Sequence, residues 1–274
     1  MKKEMKKSNS RPHSLIRKRI ASCKRSQVTI FIIIAIVLIG LLIIIFYPRL
    51  SNIKATPRTP SGYIEICMNQ YINIIKNITE RGGSLNPEHA LLYKDNKIEY
   101  LCYTNEYYKT CTMQQPLLKE HVEKELASYL KDKAENCVNE LVADYKSKGY
   151  QTSMKKPEVS ASIESGTVKI TIDSGLTLTK ETSESYEKFS IAKNSEMYDL
   201  IMIATSILNW EAREGDSTPE TFMMYYPDIK IEKLKLDDGS KIYTLTNRET
   251  GEKFVFATRS LSWPPGYGFD KYVK

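Results

Sequence analysis

The sequence predicts an α+β protein: an N-terminal transmembrane helix followed by an extracytoplasmic domain of helices packed on antiparallel β-sheet. Three observations predict it. An uncharged run of twenty residues, VTIFIIIAIVLIGLLIIIFY from Val28 to Tyr47, follows a basic start. Beyond it, apolar residues recur at helical spacing in some stretches and at alternate positions in others. Four cysteines, an even number, lie after the run. With 27% charged and 41% hydrophobic residues, the 274-residue chain is neither collagenous nor wholly disordered.

Charge is unevenly divided. Residues 1–26 hold ten Lys or Arg against one acid, and the rest of the chain holds 30 against 32. The formal net charge of +7 therefore belongs to one end, which argues against a nucleic-acid-binding body.

At about 1.5 Å per residue, a twenty-residue helix spans about 30 Å, the thickness of a bilayer's hydrocarbon core. The run is apolar all round, whereas a core helix of a water-soluble domain needs a polar stripe. Lys and Arg at positions 17, 18, 19, 24 and 25 precede it, and only Arg49 and Lys54 follow closely. This bias places the N-terminus in the cytoplasm and the 227 residues after Tyr47 outside. A cleaved secretory signal is the competing reading, but its apolar region is shorter and the exit FYPRLSN offers no small-x-small site. Gly40 has no small residue four positions away, so no close-packing dimer face is written there. Cys23, just before the span, reads as a free cytosolic thiol in preference to a palmitoylation site.

The junction KRSQVTIFIII, Lys24 to Ile34, resembles the class III signal sequences of archaeal type IV pilin-like and archaellin-like proteins. Lys24 and Arg25 match the basic pair. The resemblance implies a processing site at which Ser26 is the last residue removed and Gln27 the new N-terminus. Ser26 stands where the family prefers Gly or Ala, and Phe31 where many pilins carry Glu. More broadly, this junction, a Gly-Gly after the first outer helix and paired Cys around a Tyr-rich hairpin are similar to uncharacterised single-span proteins of small-genome archaea.

Residues 48–60 form a stalk, because Pro48, Pro57 and Pro60 each remove a backbone donor and bias the preceding residue away from helix. Ser61 is expected to cap one helix carrying Ile64, Met68, Tyr71, Ile75 and Ile78 on one face, stopped by Gly82-Gly83. A phosphate-cradle reading of Gly-Gly lacks the following Lys and Ser or Thr. Residues 90–103 read as two strands about an Asp95-Asn96 turn. Pro116 to Lys148 is the longest helix, with Leu118, Val122, Leu126, Tyr129 or Leu130, Cys137, Leu141 and Tyr145 on its stripe. Period two then marks strands at 159–163, 168–172 and 176–179, with a turn at Glu164-Ser165-Gly166. A helix is expected from Ser190 to Arg213, and strands at 229–236, 241–247 and 253–258, joined at Asp237-Asp238-Gly239 and Glu249-Thr250-Gly251. The organisation is thus 1–26 basic cytoplasmic segment, 27–47 transmembrane helix, 48–60 stalk, 61–149 helical Cys-containing part with a β-hairpin, 150–262 α+β part, and 263–274 Trp/Pro/Gly tail.

Cys67, Cys102, Cys111 and Cys137 allow three disulfide connectivities. The favoured one joins Cys102 to Cys111 across the Tyr-rich hairpin and Cys67 to Cys137 between the two helices. Loop entropy assigns these about 2.7 and about 4.4 kcal/mol. Zinc is disfavoured, since no C-x₂₋₄-C pair occurs and His89 and His121 are 32 residues apart. No catalytic or cofactor motif occurs: G-x-S-x-G, H-E-x-x-H, Walker and G-x-G-x-x-G patterns are all missing, and no cofactor is expected. His121, within KEHVEKE, reads as a solvated helix face, and Asp237-Asp238 as turn residues. No catalytic residue is nominated. Asn77-Ile78-Thr79 matches an N-glycosylation sequon, and Trp263, Pro264, Pro265, Tyr267 and Phe269 fit either an edge of their own sheet or a partner's groove.

The expectation is a non-enzymatic, single-span surface protein whose partners are the lipid bilayer and either another protein or further copies of itself, with no nucleic acid. The rivals are a pilin-like filament subunit and a membrane-tethered envelope hydrolase.

Overall fold

The computed structural model describes residues 31–41 and 59–262. The chain divides into two compact units, Met1–Thr56 and Pro57–Lys274. In the first, residues 31–41 are helical (α1), and Phe31, Ile32, Ile33 and Ile36 stand exposed. Among the described residues no helix is long and apolar enough to cross a membrane. The run 28–47 extends past the described residues at both ends. The Ser26/Gln27 junction, most of the stalk and the tail 263–274 also lie outside them.

The second unit is α+β. Helix α2 (Pro60–Ile72) is capped by Thr59, not by the expected Ser61. The Thr59 Oγ1 accepts from the Gly62 N–H at 3.2 Å, and Pro60 follows at N1, where its missing donor costs nothing. The helix breaks at Asn73 and resumes as α3 (Ile74–Thr79), so the single helix expected here is two. A hairpin follows, β1 (Ala90–Tyr93) and β2 (Asn96–Tyr103), turning through Lys94 and Asp95 with both φ positive, as a two-residue hairpin loop requires. After short β3 (Thr112–Met113), α4 (Leu118–Ser147) buries Leu118, Val122, Leu126, Leu130, Ala134, Cys137 and Leu141 at three- and four-residue spacing.

Then come β4 (Gln151–Ser153), β5 (Glu158–Glu164), β6 (Thr167–Thr179) and β7 (Ser183–Asn194). The expected strands 168–172 and 176–179 are one strand, β6, whose pairing shifts between Asp173 and Leu176 at a bulge. The helix expected from Ser190 starts later: Ser190 to Asn194 continue β7, with Phe189 and Ile191 facing the core, and α5 occupies Met197–Glu214. Short α6 (Pro219–Tyr225) leads to β8 (Ile229–Lys235), β9 (Ser240–Asn247) and β10 (Lys253–Arg259).

Two sheets result. One has six strands in the order β1-β2-β10-β9-β8, with β3 also on β2; the other has four, centred on β6, with β7 on one side and β4 and β5 on the other. Every pairing is antiparallel except β2 with β10. The larger apolar core runs from α2 and α4 through β5, β6 and β7 to α5 and the inner face of β8, β9 and β10, and a smaller cluster of Ile98, Tyr100, Ile242 and Ala257 joins β2, β9 and β10 separately. The larger core crosses residue 150, so the 61–149 and 150–262 parts share it. At about 25 cal/mol per Å² of apolar area buried, such a core is the main stabilising term.

Candidate functional site

The four outer cysteines are consumed in two disulfides, Cys67–Cys137 and Cys102–Cys111, with Cα separations of 6.0 and 5.3 Å. The first ties α2 to α4, and the second closes the loop after β2. Among the described residues no three metal-ligating side chains converge.

One polar cluster forms where the Gly82-Gly83 loop meets β2 and α4. Ser84 Oγ donates to Glu99 Oε2 at 2.5 Å and lies 2.7 Å from His121 Nε2; Gln115 Nε2 donates to Glu99 Oε1 at 3.2 Å. The expectation for His121 is corrected: its side chain is 22% exposed and turns inward from α4 to this hydroxyl. The hydroxyl's one proton goes to Glu99, so His121 Nε2 is the donor to Ser84. In a nucleophile relay the carboxylate holds the other ring nitrogen. Here Glu99 approaches Nε2 at 3.7 Å instead, and Ser84 is 5% exposed. The Leu85 N–H, a candidate oxyanion donor, is taken by Glu125 Oε2 at 3.1 Å. The arrangement locks the loop and does not present an activated serine.

A second cluster is built from α5 and β9. Successive inward positions of α5, Leu200, Ile201, Ala204 and Ile207 or Leu208, lead at the same spacing to Glu211, which is fully buried. On β9 the inward alternation places Lys241, Tyr243 and Leu245 on the facing surface. Lys241 Nζ donates to Glu211 Oε2 at 2.8 Å and Oε1 at 3.0 Å, and to the Gly215 carbonyl at 2.6 Å. Tyr243 donates to Glu211 Oε1 at 2.5 Å. Asp216 Oδ1 lies 3.1 Å from Lys241 Nζ, and Asp216 also receives Lys233 at 3.0 Å and Lys235 at 2.9 Å. Burial pushes the Glu211 carboxyl up, more than Lys241 and Tyr243 pull it down. Burial acts the same way on Asp216, but Lys241, Lys235 and Lys233 outweigh it and hold that carboxyl well below the usual range. Two carboxyl groups sharing one amine are thus driven apart. Sequence reading missed all four residues, though an acid on the apolar face of α5 and a lysine at an inward β9 position were a visible signal.

A cleft of about 360 Å³ opens between α3, the end of β7, the start of α5 and the β9–β10 turn, with Ile75, Lys76, Lys193, Met197, Thr250 and Lys253 in its lining. The α5 N-terminus beside it is capped from that turn: Glu252 Oε2 accepts from the Glu196 N–H at 2.6 Å and Ser195 Oγ at 3.1 Å.

Other expected positions sit as follows. His89 is exposed and packs edge-on against Tyr103, ring centroids 4.1 Å apart. Asp238 accepts from the Ser240 N–H and Oγ in the β8–β9 turn, as a turn acid does. Asn77 is exposed on α3, whereas Thr79 is buried and donates to the Lys76 carbonyl. Compared with known proteins, no family model, curated protein or solved structure matches the chain.

Proposed function

We propose that this chain is a membrane-anchored protein that keeps its basic N-terminus in the cytoplasm and carries the disulfide-bonded α+β unit on the outer side, in a structural or binding role. The observation that carries the reading is the uncharged run Val28–Tyr47 behind ten basic residues. The described part of that run supports it, being helical with its apolar side chains exposed. The two disulfides fit an oxidising compartment. Protease added to intact cells is the test: the outer unit is digested while the first residues survive. An outer unit that stays intact, with freely alkylated thiols at Cys67 and Cys137, overturns the proposal.

The junction KRSQVTIFIII favours a second reading, a pilin-like subunit trimmed after Ser26 whose run from Gln27 to Tyr47 packs into a filament. Mass spectrometry of the mature N-terminus separates the two. A start at Gln27 supports the filament subunit, and a start at Met1 or anywhere else upstream removes it.

A further inference from the structure

We infer that the outer edge of β7 is a docking surface for a second copy of this chain, the two β7 strands pairing antiparallel about a twofold axis at Ser190. The inference stands apart from the membrane topology, since it depends only on the folded unit.

A strand at a sheet edge presents unpaired N–H and C=O groups, and folded proteins cover, shorten or charge such edges. Other edges of the two sheets are dealt with in that way. On β5 the Ile163 N–H donates to Glu123 Oε1 of α4 at 2.7 Å. On β8 the Ile231 N–H meets Met223 Sδ of α6 at 3.4 Å, and the Ile229 N–H donates to the Tyr226 carbonyl at 3.0 Å. Strands β1 and β4 run for only four and three residues.

The β7 edge is different. The strand runs for twelve residues and, among the described residues, pairs with β6 alone. Just past its end the Ser195 N–H donates to the Gly166 carbonyl, so in this register the odd-numbered residues turn their backbone groups to β6. Those of Lys188, Ser190, Ala192 and Asn194 point the other way, and among the described residues no backbone bond reaches them. Phe189 and Ile191 turn inward to the core shared with α2, whereas Ser190, Ala192 and Asn194 are exposed.

The strand is also complementary to itself. Antiparallel pairing about Ser190 sets Glu187 opposite the second copy's Lys193, and Lys193 opposite the second copy's Glu187. Lys188 then faces Ala192 and Phe189 faces Ile191, so no like charges meet. Lys155 and Lys188 both turn to Asp173, which leaves Glu187 and Lys193 without an ion pair among the described residues. Moving the axis to Lys188 would set that lysine against its own copy, and parallel pairing in register would set every charge against its like. Each copy uses the same edge, so the assembly closes at two. Backbone hydrogen bonds supply the attraction, and the two ion pairs fix the register.

The test is disulfide trapping in the full chain, purified in detergent and carrying Cys23→Ser, so that an added cysteine is the one free thiol. Ser190→Cys lies on the axis, where directly opposed Cα atoms are about 5.5 Å apart, within disulfide reach. Mild oxidation is expected to give a reducible covalent dimer. Ser183→Cys, at the start of the strand, lies about 45 Å from its counterpart in this pairing and is expected to stay monomeric. Failure of Ser190→Cys to crosslink, or equal crosslinking of the two variants, overturns the proposal. In the Ser190→Cys chain, Glu187→Lys and Lys193→Glu each bring like charges together at two places and are expected to slow crosslinking by on the order of tenfold. Combined, they exchange the charges and restore the parent rate. All these positions are exposed, so the fold tolerates the changes. Single variants that crosslink at the parent rate, or a double variant that does not recover, overturn the pairing about Ser190.

Discussion

Gly82 lies against Glu99 so closely that a Cβ on it would come within 2.7 Å of the Glu99 Cβ, and its φ is +88°. The loop therefore needs a residue with no side chain twice over, for conformation and for space. Gly82→Ala is expected to cost about 2–3 kcal/mol, a left-handed-region penalty plus overpacking. Gly166→Ala, also at positive φ but facing open space, carries the first term alone and is expected to cost about 1 kcal/mol. Urea denaturation of the two variants checks the ordering; equal costs would show that the close approach contributes nothing.

Ser84 is the hydroxyl that this loop places between Glu99 and His121. Ser84→Ala removes a buried donor to a carboxylate that retains only Gln115, so a loss of about 1–3 kcal/mol is expected. His121→Ala leaves the Ser84–Glu99 bond intact and should cost less. A reversed order in chemical denaturation would assign the lock to the imidazole.

The two disulfides close loops of very different length, with sequence separations of 70 and 9. Loop entropy then ranks Cys67–Cys137 at about 4.4 kcal/mol and Cys102–Cys111 at about 2.7 kcal/mol. Paired Cys→Ala variants measured by thermal unfolding should follow that order.

Where apolar spacing is strong, the residues alone make the architecture legible. The Leu118–Leu141 stripe marks α4, and the alternation of Phe254 and Phe256 marks β10. Elements whose signal is weak or non-local are not legible in this way. Only Phe189 and Ile191 of β7 are buried, so its Glu, Lys and Ser residues carry no clear period. Asp173-Ser174-Gly175 has turn composition, yet forms a bulge because β7 pairs on both sides of it. The parallel pairing of β2 with β10 joins segments with no local signature in common. His121 is masked by its charged neighbours, of which Glu125 and Glu123 also turn to protein partners, the Leu85 and Ile163 N–H groups, that sequence alone does not show. Glu211 and Lys241 each break an apolar pattern from inside, which marks them as a pair only when both are placed on the same core.

Asp216 gives the fold a definite acid response. Its folded carboxyl ionises below the unfolded value of about 3.9 because three lysines outweigh its burial. Its contribution to stability is therefore present above about pH 4 and is lost as pH falls through the lower folded value. The stability difference between wild type and Asp216→Asn should shrink towards zero on acidification below pH 4. A difference that stays constant down to the most acidic point would mean that the carboxylate charge is not what stabilises.

At the alkaline end the reporter is Tyr186. Its hydroxyl donates to Glu184 two residues earlier on β7 at 2.7 Å. That bond to a carboxylate, then partial burial, pushes the phenol up to about 12. Ionisation would remove the donated proton and set two anions side by side, so the folded state holds its proton longer than the unfolded chain, which releases it near 10. The contribution is thus fully present below about pH 10 and is lost as pH rises through about 12. Glu184→Gln keeps an acceptor but removes the charge, and should bring the Tyr186 ionisation back towards 10, read by NMR of ¹³C-labelled tyrosine rings. If the inflection stays near 12 in that variant, burial alone sets the value and the Glu184 carboxylate has no part in it.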